Sequence, residues 1–280
     1  MSVIVPAIKS QGIKTKLVPW INDIILQSGL DIPNTNWIEP FFGTGVVGLN
    51  AIVGGKRIVG DTNPYIIDFY RGIQNDEVTA YNMRNYLLQE GKLLSNADEE
   101  GYAHFRQVKN RFNAEHSPFD FIFLSRAGFN GMMRFNRKGE WNIPFCKKPD
   151  RFAPAYITKI CNQIKESRKV IKQYDWSFYN QDFLETIKMA HKGDLIYCDP
   201  PYFGRYVDYY NGWTEQDEET LLSMYRAGIS FAEMAELFGR SERAIVTRLV
   251  LLRAGLESGT DAGEESAAPE REDPDNGLSF

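Results

Sequence analysis

The sequence predicts an α/β protein built on an open sheet, and three features carry that expectation. Short apolar runs end in or just before an acidic residue at Glu39, Asp61, Asp182 and Asp199. A glycine turn follows the first of them, and segments of helical apolar spacing fill the intervals. A strand that breaks into glycines before a helix lets main chain approach a nucleoside-sized ligand, and the helix N-terminus offers unpaired N–H groups. With 280 residues and 43% apolar content, the chain is long enough for a substantial core.

Composition narrows the classes of function. Cys146, Cys161 and Cys198 show no paired spacing, and with only His104, His116 and His191 beside them no metal-ligand or Cys/His catalytic cluster emerges. No apolar run reaches membrane-spanning length, and residues 1–16 lack the apolar centre of a signal peptide. A reduced protein of the cytoplasm without structural metal is the expectation. The net charge of −5 hides a division: residues 1–213 hold 26 basic and 22 acidic side chains, residues 214–280 hold 6 and 15. Residues 106–172 hold 15 basic against 5 acidic, the sign of a polyanion-binding surface or of a lysine-rich solvated face.

Taken in order, the chain opens with Gly12 and Lys14 ahead of apolar residues at helical spacing, Ile21, Ile24 and Ile25. Residues 36–50 read as strand, glycine turn and helix start, with Glu39 before the turn and Phe41, Gly43 and Gly45 within it. The glycines do not follow the dinucleotide pattern, and Glu39 would repel a pyrophosphate, so a cationic ligand suits this turn better. Residues 56–64 repeat strand-then-acid, where Asp61 is placed to accept from ribose hydroxyls or to cap a helix over 64–72. Residues 75–113 read as helical.

From Phe119 onward, arginine and lysine alternate with aromatics, glycine and asparagine through Phe145. Arg126, Asn130, Arg134, Asn136, Arg137 and Lys138 are the side chains expected to hold phosphates or read base edges, although a glycine-rich structural hairpin would look similar. A basic helix over 154–173 leads to a strand ending at Asp182 and Phe183, suited to the amino group and ring of an adenine, then a helix over 184–191.

Residues 194–202 read as a buried strand stopped by Pro200 and Pro201. Asp199 and the Pro200 carbonyl would be two acceptors, and Tyr202 a flat face beside them, a grip for an exocyclic amino group on adenine or cytosine. A strand ending at a proline turn with a helix-capping aspartate is the alternative.

The ordered series Gly12-x-Lys14, Glu39-Pro-Phe-x-Gly43-x-Gly45, Asp61-x-Asn63, Arg126-x-Gly128-x-Asn130-Gly131, Asn136-Arg-Lys-Gly139-x-x-Asn142-x-Pro144, Gln181-Asp182-Phe183 and Asp199-Pro-Pro-Tyr202 resembles the Dam-type, alpha-group DNA adenine-N6 methyltransferases, including those of restriction-modification systems, over about residues 8–213. The resemblance implies a Rossmann-like core using S-adenosylmethionine and acting on double-stranded DNA without a metal. On it, Glu39 and Asp199 would face the cationic methionine end, Lys14 its carboxylate, Asp61 the ribose, and Asp182 with Phe183 the adenine, beside the turn of Phe41, Gly43 and Gly45. The flipped target base would stack on Tyr202 while Asp199 and Pro200 hold its amino hydrogens.

One departure from that family is expected. No further strand is evident after Tyr202, so the sheet is expected to stop early, leaving one edge and one face uncovered and activity in question. Segments 215–227, 230–238 and 241–252 instead read as three helices with the cadence of a helix-turn-helix, Myb-like or regulator-type, with Arg243 and Arg248 placed for DNA or the helices for a protein partner. The expected divisions are 1–105, the cofactor half; 106–172, the inserted target-recognition region; 173–213, the catalytic strand and loop; 214–256, the three helices; and 257–280, a disordered acidic tail. A non-catalytic DNA-binding protein, or an enzyme acting on cytosine N4 or RNA adenine, fits the same motifs.

Overall fold

A computed structural model describes residues 2–10, 12–94, 99–136, 138–200 and 213–257. Four parallel strands form one sheet: β1 (Trp37–Glu39), β2 (Arg57–Asp61), β3 (Trp176–Asn180) and β4 (Leu195–Ile196), in the spatial order β3-β2-β1-β4. The chain works outward from β1 to β3 and then returns to place β4 on the other side of β1. That reversal makes the carboxyl ends of β1 and β4 the switch point of the sheet, where ligands of open α/β sheets bind.

The helices, from α1 (Val18–Gln27) onward, begin where local chemistry allows. In α2 (Pro64–Gln74), Asn63 accepts from Tyr65 N and Pro64 occupies the first turn. Asn63 is therefore the cap, and the alternative reading of Asp61 as that cap is set aside: the Asp61 carboxylate turns back toward the β1 loop instead. Thr79 caps α3 (Ala80–Lys92), and Ser117 with Pro118 starts α5 (Pro118–Ala127). The intervening α4 (Glu99–Glu115) and the long α6 (Pro154–Gln173) complete the helical layer. Asp182 caps a short α7 (Phe183–Ile187), which ends before the helix expected to reach 191.

One apolar core joins these parts. α5 is buried from Asp120 to Ser125, and Phe121, Phe123, Phe145 and Trp141 pack with residues of α2, α3 and α6, so the basic 106–172 segment shares its interior with residues 1–105. The C-terminal helices α8 (Glu215–Arg226), α9 (Phe231–Phe238) and α10 (Glu242–Glu257) contribute Leu221, Met224, Met234, Leu237, Ile245 and Leu249 to the same core. They are also tied to the rest of the molecule by polar contacts: Tyr102 donates to Glu233, Lys109 pairs with Glu236 at 3.5 Å, and Lys147 donates to Gly228 O at 2.7 Å. Reciprocal capping boxes start α8 and α9, and a left-handed Gly239 stops α9 before α10.

The two sheet edges are treated differently. On β3, Arg71 donates to Phe178 O at 2.7 Å and Gln74 to Trp176 O at 2.9 Å, so α2 occupies the outward carbonyls. On β4 no further strand pairs among the described residues, and Ile196 is 42% exposed. The expectation of a fully buried strand is thereby corrected: the apolar run is right, but it lies at an edge and spans two residues.

Candidate functional site

Three strand ends converge. Glu39 closes β1 and is 2% exposed, its Oε2 accepting from Trp37 Nε1 at 2.9 Å while its carboxylate also accepts from the Gly48 main chain. Asp61 closes β2, with Oδ2 accepting from Gly43 N at 2.7 Å and Oδ1 from Asn63 N at 2.8 Å. Beyond β4, Tyr197 N donates to Ile38 O at 2.8 Å, and its ring stacks on Trp37 with centroids 5.7 Å apart. That anchors the strand two residues before Asp199, whose Oδ2 pairs with Lys14 Nζ at 2.8 Å.

These groups act on one another's charge. Burial pushes the Glu39 carboxyl up to about 8, against the pull of its two N–H donors, and the charges of Asp199 and Asp61 push it further the same way. Burial likewise raises Asp61, opposed by its bonds to Asn63 and Gly43. Burial and neighbouring carboxylate charge oppose ionisation of Glu39, and burial opposes that of Asp61, so a positive charge placed beside them would relieve both.

The turn between β1 and β2 gives such a ligand room. Gly43 and Gly45 have φ of 52° and 77°, and a Cβ on Gly43 would meet nothing within 4 Å. Gly48 is small for a different reason: a Cβ there would lie 2.4 Å from Glu39 Oε2. Phe41 stacks on Phe183 at 5.1 Å between centroids, which brings the β1 turn against the start of α7. Asp182 is exposed and spends Oδ1 on Leu184 N at 2.9 Å. Lys14, Glu39, Phe41, Gly43, Gly45, Asp61, Asp182, Phe183 and Asp199 thus lie on the turns and loops at the carboxyl ends of the strands or on the segment paired to them. Acidic side chains, the open position at Gly43 and the exposed ring of Phe183 lie at the same ends of the sheet.

The residues expected to meet DNA divide into several groups. Asn130 is exposed with a left-handed φ of 51°, Arg134 is half-buried and Lys138 exposed. Asn136 organises a hairpin instead of projecting from it: its Oδ1 accepts from Lys138 N and Glu140 N, and its Nδ2 donates to Glu140 at 2.7 Å. Arg126 turns inward, donating to Ala7 O and, at 2.7 Å, to Gln163; burial and nearby Arg151 pull its pKa down to about 10. Its expected surface role is corrected, since its fork already serves the N-terminal segment and α6. Arg248 is paired with Glu218 of α8. Pro200 is described and exposed, whereas Tyr202, Arg137 and the Arg243 side chain lie outside the described residues.

A basic group that sequence reading did not single out lies beside the hairpin. Lys9 rests against Gly131, and its ammonium pKa is lowered by burial first and then by Arg151, with Arg126 and Lys148 acting the same way. The signal was present in the charge count over 147–151, but nothing in one dimension joins that run to Lys9. Among the described residues no set of three or more His, Cys, Asp or Glu is arranged to hold a metal, and no helix is long and apolar enough to cross a membrane.

Comparison with known proteins adds an independent line. The family described as D12 class N6 adenine-specific DNA methyltransferase matches residues 10–234, which carries the likeness past the proline corner and into α9. The chain is 30% identical over 245 residues to the retron Ec67 DNA adenine methylase of Escherichia coli, covering 83% of this chain and 80% of that protein. It is 32% identical over 204 residues to the DNA adenine methylase of Haemophilus influenzae, covering 70% and 63%, and 27% identical over 170 residues to that of Salmonella typhi, covering 59% and 55%. The chain therefore spans four fifths of the first relative and less than two thirds of the other two.

Proposed function

Because the chain belongs to the D12 class N6 adenine-specific DNA methyltransferase family, we propose that it transfers a methyl group from S-adenosylmethionine to N6 of an adenine in double-stranded DNA. The observation that carries this reading is the meeting of Glu39, Asp61 and Asp199 at one switch point, with Lys14 paired to the last.

When bound, the cofactor supplies an electrophilic methyl group on a positively charged sulfur. Glu39 and Asp199 would offset that charge and the neighbouring ammonium, while Lys14, paired with Asp199 in this structure, would serve the carboxylate. Asp61 accepts from the ribose hydroxyls, and Phe183, with Asp182 beside it, receives the adenine. Gly43 and Gly45 let the main chain close around it. A target base leaves the duplex at a cost of a few kcal/mol and stacks on Tyr202. Asp199 and the Pro200 carbonyl would accept hydrogen bonds from its two amino hydrogens and turn the nitrogen lone pair toward the methyl group; as the N–C bond formed the C–S bond would break to leave a neutral thioether, and the extra proton on nitrogen would pass through Asp199 to water. Alignment and placed charge supply the catalysis, so the chain's own residues form no covalent bond to substrate.

On the DNA side, Asn130, Arg134, Arg137 and Lys138 meet the duplex, with Lys9 and Lys148 behind them. Replacing Arg134 and Arg137 by alanine is expected to weaken binding and to lower the slope of log affinity against log salt by roughly 2, about 0.9 for each lost phosphate contact. Filter binding between low and moderate salt checks this; an unchanged slope removes the hairpin from the interface. The three C-terminal helices act as part of the fold or as a protein-docking unit, a role favoured by the contacts of Glu233 and Glu236 with α4 and of Arg248 with Glu218. The cytoplasm is the compartment in which such a protein meets its DNA.

Among the described residues no strand pairs with the outer side of β4, and this favours one rival, a protein that binds cofactor and duplex without turnover. The test is incubation with tritiated S-adenosylmethionine and unmethylated duplex, followed by digestion to nucleosides. Label in N6-methyladenine is the expected result. Retarded DNA without label would support the rival, and label in N4-methylcytosine or in an RNA control would change the acceptor.

A further inference from the structure

A line of hydrogen bonds runs from the cofactor cleft to the hairpin and passes through Tyr65, a residue outside both. Gly43 N donates to Asp61 Oδ2 at 2.7 Å, Asn63 N to Asp61 Oδ1 at 2.8 Å, and Tyr65 N to Asn63 Oδ1 at 3.0 Å. The Tyr65 hydroxyl then donates to Gly139 O at 2.9 Å, at the turn of the hairpin. Its ring lies 5.0 Å from Phe135 of the same hairpin and 4.8 Å from Phe112 of α4. Asn136 bonds to Lys138 N and Glu140, and Trp141 N donates to Asn113 Oδ1 at 2.8 Å, so Gly139 lies between residues that are themselves held by hydrogen bonds.

We propose that Tyr65 is a positioning residue that couples occupancy of the cofactor cleft to placement of the DNA-facing hairpin. This rests on the proposed function. Ribose hydroxyls donating to Asp61 would join the two main-chain donors already on that carboxylate. The turn over 61–65 is then held in one arrangement, and the hydroxyl at its far end holds Gly139 in one place. Duplex binds that fixed hairpin more tightly, and by linkage the duplex tightens cofactor binding by the same factor.

The experiment measures affinity for the duplex that accepts label in the methyl-transfer assay, with and without saturating S-adenosylhomocysteine, in wild type and in Tyr65→Phe. That change keeps the ring and removes one hydrogen bond. Wild type is expected to bind duplex more tightly with the product present, and Tyr65→Phe to reduce that ratio by about fivefold or to unity, the worth of one hydrogen bond. Affinity of the variant for S-adenosylhomocysteine without DNA is expected to stay at the wild-type value. Asn63→Ala, which breaks the line on the cleft side, should lower the ratio equally, and the double variant no further. A wild-type ratio of one, or an unchanged ratio in Tyr65→Phe, overturns the coupling while leaving methyl transfer intact; absence of label in wild type would overturn the proposed function instead.

Discussion

Asp199→Ala is expected to lower methyl transfer by about 10²–10³-fold or more, the usual cost of removing one pre-placed polar group from a reacting centre, while leaving duplex affinity largely intact. The reasoning begins with position. Tyr197 is fixed by its main-chain bond to Ile38 and its stack on Trp37, so Asp199 emerges at a set height beside Glu39. Its Oδ2 is paired to Lys14 at 2.8 Å, and its side chain is 27% exposed, which leaves it accessible to a ligand. Alanine removes the acceptor for the amino hydrogens and the partner of Lys14 together. Asp199→Asn separates the two, since it keeps a carbonyl acceptor and loses the charge; it should retain more turnover than alanine and show a larger rise in KM for cofactor than for DNA. Single-turnover rates and duplex binding on the same preparations decide the matter. Undiminished turnover in the alanine variant would remove Asp199 from the chemistry.

The second large effect concerns pH. An acid whose folded pKa is raised holds a proton in the native state that the unfolded chain has released, so stability falls as pH rises between the two values. For Glu39 the window runs from the ordinary 4.5 to about 8, and the ligand-free protein should lose on the order of 4 kcal/mol across it from this group. Glu39→Gln should flatten that slope and be the more stable protein at pH 8, because the amide keeps shape and acceptor without the buried charge. A sulfonium ligand reverses the preference, so cofactor affinity of the wild type should rise with pH toward 8 and the variant should bind weakly at every pH. Denaturant midpoints at several pH values, with and without S-adenosylhomocysteine or a cationic analogue, test both parts. A variant with the wild-type pH slope would refute the assignment.

Much of this arrangement is legible in the chain. The proline at 154 and the strand signal after 173 bound α6 at the residues observed, because Pro at a first turn and an apolar β-branched or aromatic run are local signals. The pairing of acids with strand ends is equally local. What the sequence does not carry is direction. Arg126 has the chemistry of a phosphate ligand, yet its guanidinium turns onto Ala7 O, a partner far away in the chain. Asp61 and Asn63 are both capping residues two positions apart, and only the backbone path decides that Asn63 meets Tyr65 N. The apolar run at 195–197 says that a strand forms, but burial depends on what packs beside it, and no further strand pairs with β4 among the described residues. The contacts of Trp37 with Glu39 and with Tyr197 went unread for a similar reason: tryptophan in a strand reads as core, and its N–H partner is invisible in composition.

Trp37 also makes the molecule its own optical reporter. Its indole lies against Tyr197 and donates to a carboxyl that gains or loses charge near neutral pH. Emission wavelength and near-ultraviolet absorbance of an indole follow the field around it, so the share of the spectrum owed to Trp37, one of five tryptophans, should shift with the ionisation of Glu39 and with the arrival of a cation, without any attached dye.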